Sequence, residues 1–506
     1  MALAISKIRN IMRQDANVEA DDQRLRQLIW MFFLKAIDAK EEEWELLEED
    51  YIPIIPIGYR WRDWVKSTDP KNKLTGKELT DFVNNKLFPV LAGDAIKDEN
   101  GEDIYPFENN SELAELIKAF MGDCKLTNLM ADGTLLREVL EEVDLADLSN
   151  AKDKHEFNAI YESLLKDFSK INGEFYTQRP ITRFIIEKLE PTPEDNFADF
   201  AAGTGGFGID FVENIMSQSP TKEQIDNLSN NVYLVEKKPM PYALSVTNML
   251  LHGVKCPNVV LGNTLERSVS SYTQEEKFSK IGMNPPYGGS EMQTTLLNFP
   301  ENLRSSETAD LFMVEIMYRL KIDGKAGVIL PDSIMFGSDR VKTEIKKKLL
   351  TEFNLHTIIR LPGSCFAPYT GIPTNILFFD NTEKKTDFVW FYRWDLQDGK
   401  KFSFAKNPMK DEHLNVVREW WDNRREIKDV KENETMTETW KSRKISVKEI
   451  EDANYSLDFC GYPNVEKVIL SPKETIKNFK EERERLDKQM DTKLDEILKL
   501  LGLKED

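Results

Sequence analysis

The spacing of apolar residues along the chain changes near residue 197. Before it, "AISKIRNIM" at 4–12 and "DQRLRQLIWMFFLKAIDA" at 22–39 repeat apolar positions every three to four residues, and the acidic run "KEEEWELLEEDY" continues that period. These predict a mostly helical part over residues 1–150. The prolines and aromatics of "YIPIIPIGYRWRDW" at 51–64 mark a packed loop within it. From 197 onward, short apolar runs alternate with helical stretches: "FADF" and "GIDFVENIM", "VYLVE" and "YALSVTNMLLHG", "NVVLG", "SKIGM" and "LFMVEIMYRLK", "AGVIL" and "TEIKKKLLTEF", "HTIIRL", and "NILFFD". Such alternation predicts an α/β domain, with a doubly wound parallel sheet that binds ligands at the carboxyl ends of its strands. We place this domain at 151–440. The polar remainder, 441–506, is expected to form a helical arm for partner contact, with Ile476, Phe479, Leu486, Met490, Ile497 and Leu501 near heptad spacing.

Composition narrows the function. A chain of 506 residues with 40% apolar content can bury a sizeable core, and no apolar run approaches the length of a membrane span. The four cysteines are far apart and fit neither a disulfide nor a metal spacing, which points to a reducing cytoplasmic setting; the four histidines are equally scattered, so no metal site is predicted. Charge is more telling: 68 basic against 88 acidic residues leave −20. Phosphate neutralisation supplies most non-specific affinity for nucleic acid, so a DNA substrate would have to be delivered by something else. The basic stretch "KTEIKKKLL" at 342–350 reads as a solvated helix face or a basic patch.

Four strand ends carry candidate chemistry. The glycine loop "DFAAGTGGFG", 199–208, follows a strand and opens a helix, where main-chain N–H groups and missing side chains admit a nucleotide-like ligand. Glu236 ends the next strand, where a carboxylate can accept both hydroxyls of a ribose. Asn263 of "GNTL" ends the third and can bond an adenine edge. The fourth delivers "NPPY": each proline biases the residue before it away from helix, so Asn284–Pro285–Pro286–Tyr287 is a stiff turn. It can aim the Asn284 side-chain oxygen and the Pro285 carbonyl in fixed directions beside an aromatic ring.

Together these residues resemble a known family. "NPPY", "DFAAGTGGF" and "GEFYTQRP" at 173–180 look like motifs IV, I and X of the gamma group of amino-methylating DNA methyltransferases. More narrowly, the chain resembles the modification subunit of type I restriction–modification systems, including "GVILPDSIMFG", "CFAPYTGIPTNILFF" and "ISVKEIEDANYSLDF" further along. The resemblance implies an S-adenosylmethionine-dependent methyltransferase sheet acting on the N6 amine of a flipped adenine, with Asn284, Pro285, Pro286 and Tyr287 catalytic. It implies Asp199, Ala201, Gly203, Thr204, Gly205, Gly206, Phe207, Glu236 and Asn263 around the cofactor, with Phe175, Tyr176 and Thr177 on its methionine side. It also implies DNA and a separate specificity subunit as partners, two modification subunits per complex, and a restriction subunit as a further member. Two departures stand out: Gln178 and Arg179 intervene before Pro180 where the family has proline directly after the threonine, and Asn263 replaces a frequent aspartate.

Other enzymes can use the same turn. Methyltransferases of a glutamine amide in release factors share N-P-P-Y, and a scaffold that only binds would keep the sheet. The long helical lead and the upstream motif favour DNA adenine. Methylation at a ring carbon needs a thiolate in a proline-cysteine loop, and this site has none. The segment 288–310, glycine-led and polar, is expected to be a lid or an ordinary surface loop beside the target pocket.

Overall fold

A computed structural model describes residues 5–461 except 48, 50, 67–72, 99, 147, 149–160, 162–163, 166–176, 368–370, 397–400, 404–406 and 430–438, and beyond 461 only positions 479, 480, 483, 487 and 490. The predicted sheet is present and larger than the apolar runs alone indicate. After a small hairpin of β1 (Ile96–Lys97) and β2 (Asp103–Ile104), the strands are β3 (Phe197–Asp199), β4 (Val232–Glu236), β5 (Asn258–Leu261), β6 (Phe278–Met283), β7 (Leu320–Pro331), β8 (Asn354–Arg360), β9 (Thr374–Asp380), β10 (Phe388–Arg393), β11 (Ile427–Asp429) and β12 (Thr439–Ser446). They form one ten-stranded sheet in the order β11-β12-β10-β8-β9-β7-β6-β3-β4-β5.

The centre is wound as expected: β5, β4, β3, β6 and β7 pair in parallel, so their carboxyl ends share one edge. The strand order reverses beside β3, which makes that edge a switch point. The expectation of an all-parallel sheet is corrected at β9, which runs antiparallel to both β7 and β8. Residues 361–373 link β8 to β9, and their described part carries no crossover helix of the kind parallel strands need. β12 is likewise antiparallel, to β10 and β11.

Both faces of the sheet are covered, and strand alternation feeds two cores. Ile329, Ile359, Ile376 and Phe378 join one core; Val328, Leu330, Ile358, Leu377 and Phe379 join the other. The first core continues into the helices Arg179–Leu189, Gly206–Ser217 and Pro239–Leu251 and on into the amino-terminal helical part. Its long helix Asp21–Leu47 packs on Pro239–Leu251, and the Tyr161 hydroxyl donates to the Leu244 carbonyl at 3.0 Å. The second core holds the helices Thr308–Arg319 and Arg340–Thr351.

Three readings need adjustment. Met1–Gly461 is one compact unit, so residues 441–461 belong with the sheet; β12 and the helix Val447–Asp452 lie within the region assigned to the arm. Tyr462–Asp506 is a second unit whose few described positions are exposed, and the predicted heptad falls mostly outside the described residues. The basic stretch is neither a solvated face nor a patch where it matters: Lys342 is buried against Glu307 at 2.9 Å and Asp310 at 3.0 Å, and Lys346 donates to the Gly337 carbonyl at 2.6 Å. Segment 288–310 is partly anchored. Leu296, Phe299 and Leu303 are buried in the second core, and the Thr308 N–H donates to the Gly289 carbonyl at 3.1 Å, while Gly288, Met292, Gln293, Thr294 and Leu297 are exposed.

Candidate active site

Parallel winding brings the four strand ends together. A cleft of about 410 Å³ opens across them, and Ala201, Gly203, Glu236, Asn263, Asn284, Pro285 and Pro286 all stand on its wall. That volume is in the range of pockets for small-molecule cofactors. Phe200, Lys237, Lys238, Pro241 and Phe312 also line it, and none of them was a candidate from the sequence; Gly289, Ser290, Glu291 and Thr308 of the segment 288–310 line it too. Phe200 and Lys237 adjoin candidate residues, so proximity to Ala201 and Glu236 was the available signal.

The glycine loop is a tight turn held at both ends. The Ala202 N–H donates to the Val235 carbonyl at 2.9 Å and the Gly205 N–H to the Ala202 carbonyl at 2.8 Å. Gly203 has φ +54°, and no atom lies within 4 Å of where a Cβ would stand. That open side is a cradle which a ligand can approach closely. Gly205, at φ +82°, is needed for packing instead: a Cβ there would lie 2.6 Å from Ser245 Oγ.

Glu236 is fixed by main-chain donors. Its Oε2 accepts the Gly203 N–H and its Oε1 the Lys238 N–H, both at 2.8 Å. Two carboxylate oxygens held in fixed directions at a strand end are a pair of acceptors that suits a vicinal diol. Asn263 is partly committed, because its Oδ1 caps the turn Thr264–Glu266 through the Leu265 N–H at 3.2 Å. The cradle and the paired acceptors therefore fit a nucleoside cofactor.

Other named residues sit behind the wall. Asp199 is buried and accepts the Ala201 N–H at 3.1 Å. Thr204 offers its carbonyl to Asn248 Nδ2 at 3.1 Å, Gly206 begins the helix Gly206–Ser217, and Phe207 is buried in the first core. Phe175 and Tyr176 lie outside the described residues.

Burial lifts the Asp199 carboxyl from 3.8 to about 8; the Ala201 N–H opposes this and the Glu236 charge adds to it. The folded state thus holds this proton more tightly than the unfolded chain. Its contribution to stability is full below about pH 4 and is lost as pH rises toward about 8. Asp199→Asn cannot ionise. The thermal midpoint of wild type should therefore fall relative to that variant between pH 5.5 and 8.5, and parallel curves would contradict the buried, proton-holding carboxyl.

The turn at 284–287 departs from a simple open acceptor. The Tyr287 hydroxyl donates to Asn284 Oδ1 and lies 3.5 Å from the Ile329 carbonyl. Asn284 Nδ2 in turn donates to Thr177 Oγ1 at 3.0 Å. A partly buried amide satisfies both ends with whatever partners are near, and here these are two hydroxyls. Burial holds the Tyr287 hydroxyl well above its ordinary range, so it stays protonated and able to donate.

The two residues that intervene before Pro180 are both bonded. Gln178 precedes the helix Arg179–Leu189 and its Nε2 donates to the Cys365 carbonyl at 2.6 Å. Arg179 Nη1 donates to the Gly206 carbonyl, while Nη2 pairs with buried Asp210 at 3.0 Å. Pro180 follows inside the first helical turn, where its missing N–H costs nothing.

Comparison with known proteins agrees with this arrangement. Residues 152–469 match the N-6 DNA Methylase family and residues 2–189 the HsdM N-terminal domain. The chain is 39% identical to the EcoEI type I restriction enzyme methylase subunit of Escherichia coli, over 94% of this chain and 93% of that one. Identity to the EcoKI methylase subunit of Escherichia coli strain K12 is 27%, over 77% and 70%. In three dimensions it matches a modification subunit of a type I restriction enzyme from Vibrio vulnificus YJ016 with a TM-score of 0.75 and 31% identity, covering 92% of this chain and 97% of the other. With the strand-end cleft, the glycine cradle and the asparagine–proline turn in place, the chain belongs to the N-6 DNA methylase family, among the methylase subunits of type I restriction enzymes.

Proposed function

We propose that the chain transfers a methyl group from S-adenosylmethionine to the N6 amine of an adenine flipped out of DNA, with Asn284 and Pro285 as the groups that activate the amine. The observation that carries this reading is the shared cleft, which Gly203, Glu236, Asn284 and Pro285 all line. Glu236 would hold the ribose hydroxyls and the Gly203 cradle the chain between ribose and sulfur, with Asn263 near the adenine ring of the cofactor. When bound, S-adenosylmethionine supplies a methyl already activated by its sulfonium charge.

The chain's own task is to make a poor nucleophile attack. The lone pair of the adenine amine is delocalised into the ring. Two oxygen acceptors at Asn284 Oδ1 and Pro285 O draw its hydrogens toward tetrahedral geometry and stabilise the positive charge that grows on nitrogen. No covalent enzyme intermediate is required, so positioning carries the remaining barrier reduction. The target amine takes the place at Asn284 Oδ1 that the Tyr287 hydroxyl holds in its absence. The released Tyr287 ring then stacks on the base, a contact worth about 1–3 kcal/mol.

Specificity for sequence resides in a separate subunit on this reading. A net charge of −20 disfavours autonomous DNA binding. Two modification subunits assemble with one specificity subunit, a restriction subunit can join, and Tyr462–Asp506 contributes the partner contact. The test is radiolabelled methyl transfer by the chain purified with its specificity subunit, followed by nucleoside digestion. Label is expected in N6-methyladenine, with at least tenfold less incorporation by the chain alone. Label in cytosine or in protein would overturn the proposal.

A further inference from the structure

Three consecutive residues, Thr177, Gln178 and Arg179, each bond a different part of the site. Thr177 reaches Asn284 after β6, Gln178 reaches the Cys365 carbonyl after β8, and Arg179 reaches the Gly206 carbonyl after β3. Gln178 and Arg179 are both buried, and the helix Arg179–Leu189 begins at once behind them. The Thr177 hydroxyl therefore stands on a segment anchored on both neighbouring loops, which is what a group that sets another group's orientation needs.

What it sets is the direction of the catalytic amide. A carboxamide has nearly the same shape either way round, but only one end accepts a hydrogen bond. Flipped, Asn284 would present an NH2 to the target amine, donor against donor, and the activation described above would vanish. Thr177 Oγ1 accepts from Asn284 Nδ2 at 3.0 Å, which leaves Oδ1 on the far side, where Tyr287 meets it. We infer that Thr177 is a positioning residue of the transfer step: it holds the Asn284 amide nitrogen so that the oxygen faces the target amine. This rests on the proposed function, and it gives Thr177 a role besides the contact to the cofactor's methionine side implied by family resemblance.

The test uses the full chain with its specificity subunit and reads two quantities separately. Thr177→Val keeps the side-chain shape and removes the acceptor. It should slow single-turnover methyl transfer by about tenfold to a hundredfold, while the equilibrium dissociation constant for S-adenosylmethionine and the thermal midpoint stay within twofold and within about 2 °C of wild type. Thr177→Ser restores the hydroxyl and should recover most of the rate. Thr177→Ala is the second variant should Val perturb packing, with the same split expected. A rate loss matched by an equal loss of cofactor affinity would assign Thr177 to the cofactor instead, and a wild-type rate in Thr177→Val would remove the role altogether. Retained transfer by Asn284→Ala would sink the underlying catalytic reading, an outcome distinct from either of these.

Discussion

Asn284→Ala is expected to lower the methyl-transfer rate by about 10²–10³-fold or more while leaving S-adenosylmethionine binding close to wild type. The magnitude follows from the proposed role: a side-chain oxygen that stabilises charge present only during attack raises the barrier when it is lost, without weakening the ground state. The proposed cofactor contacts lie elsewhere, at Gly203 and Glu236, which are bonded to each other. Single-turnover transfer of labelled methyl and equilibrium cofactor binding, measured on the same preparation, separate the two effects. Parallel loss of both would mean that the turn had collapsed and would leave the amide without a special role.

Arg360→Met should produce the largest loss of stability, about 3–5 kcal/mol, because it strands a buried charge. Arg360 ends β8 and is buried with Asp332, which opens the helix Asp332–Phe336, and Asn375 of β9. Its Nη2 bonds Asp332 Oδ1 at 3.1 Å, and Nη1 bonds Asp458 Oδ1 at 3.0 Å and the Gly461 carbonyl at 2.7 Å. Asn375 Nδ2 also donates to Asp332 Oδ1, at 2.5 Å. Removing the guanidinium takes the paired positive charge away from Asp332 and Asp458. Thermal or denaturant unfolding measures the loss. Adding Asp332→Asn should restore part of it, because the stranded charge is gone; no recovery in the double variant would mean that lost packing, not charge, dominates.

Much of this was legible in the chain. The β-α alternation from 197 announced a wound sheet, and the polar residues at the ends of four apolar runs did converge on one cleft, because parallel strands align their carboxyl ends. Strand direction was not legible at β9, since "NILFFD" reads equally well either way. Nor were the buried lysines. Charged residues are ordinarily exposed, and the carboxylates that neutralise Lys342 come from residues 307, 310 and 339. β12 was missed because "TWKSRKIS" is mostly polar: Ser442 and Ile445 face inward while Lys444 is exposed, and an edge-region strand needs no more. The Arg179–Asp210 pair joins positions too distant in sequence for any local pattern to show.

The tyrosine–asparagine bond carries a consequence for which base can be accepted. A newcomer whose exocyclic group is N–H2 exchanges one donor for another at Asn284 Oδ1, and the amide oxygen loses nothing. Thymine and guanine place a carbonyl at the equivalent ring position. Either would evict the phenol and give the oxygen no proton in return, a mismatch of about 1–3 kcal/mol. With Asn284 Oδ1 as the proposed amine acceptor, those two bases are disfavoured before any methyl moves, while cytosine passes this filter and differs from adenine in ring size and in its O2 carbonyl.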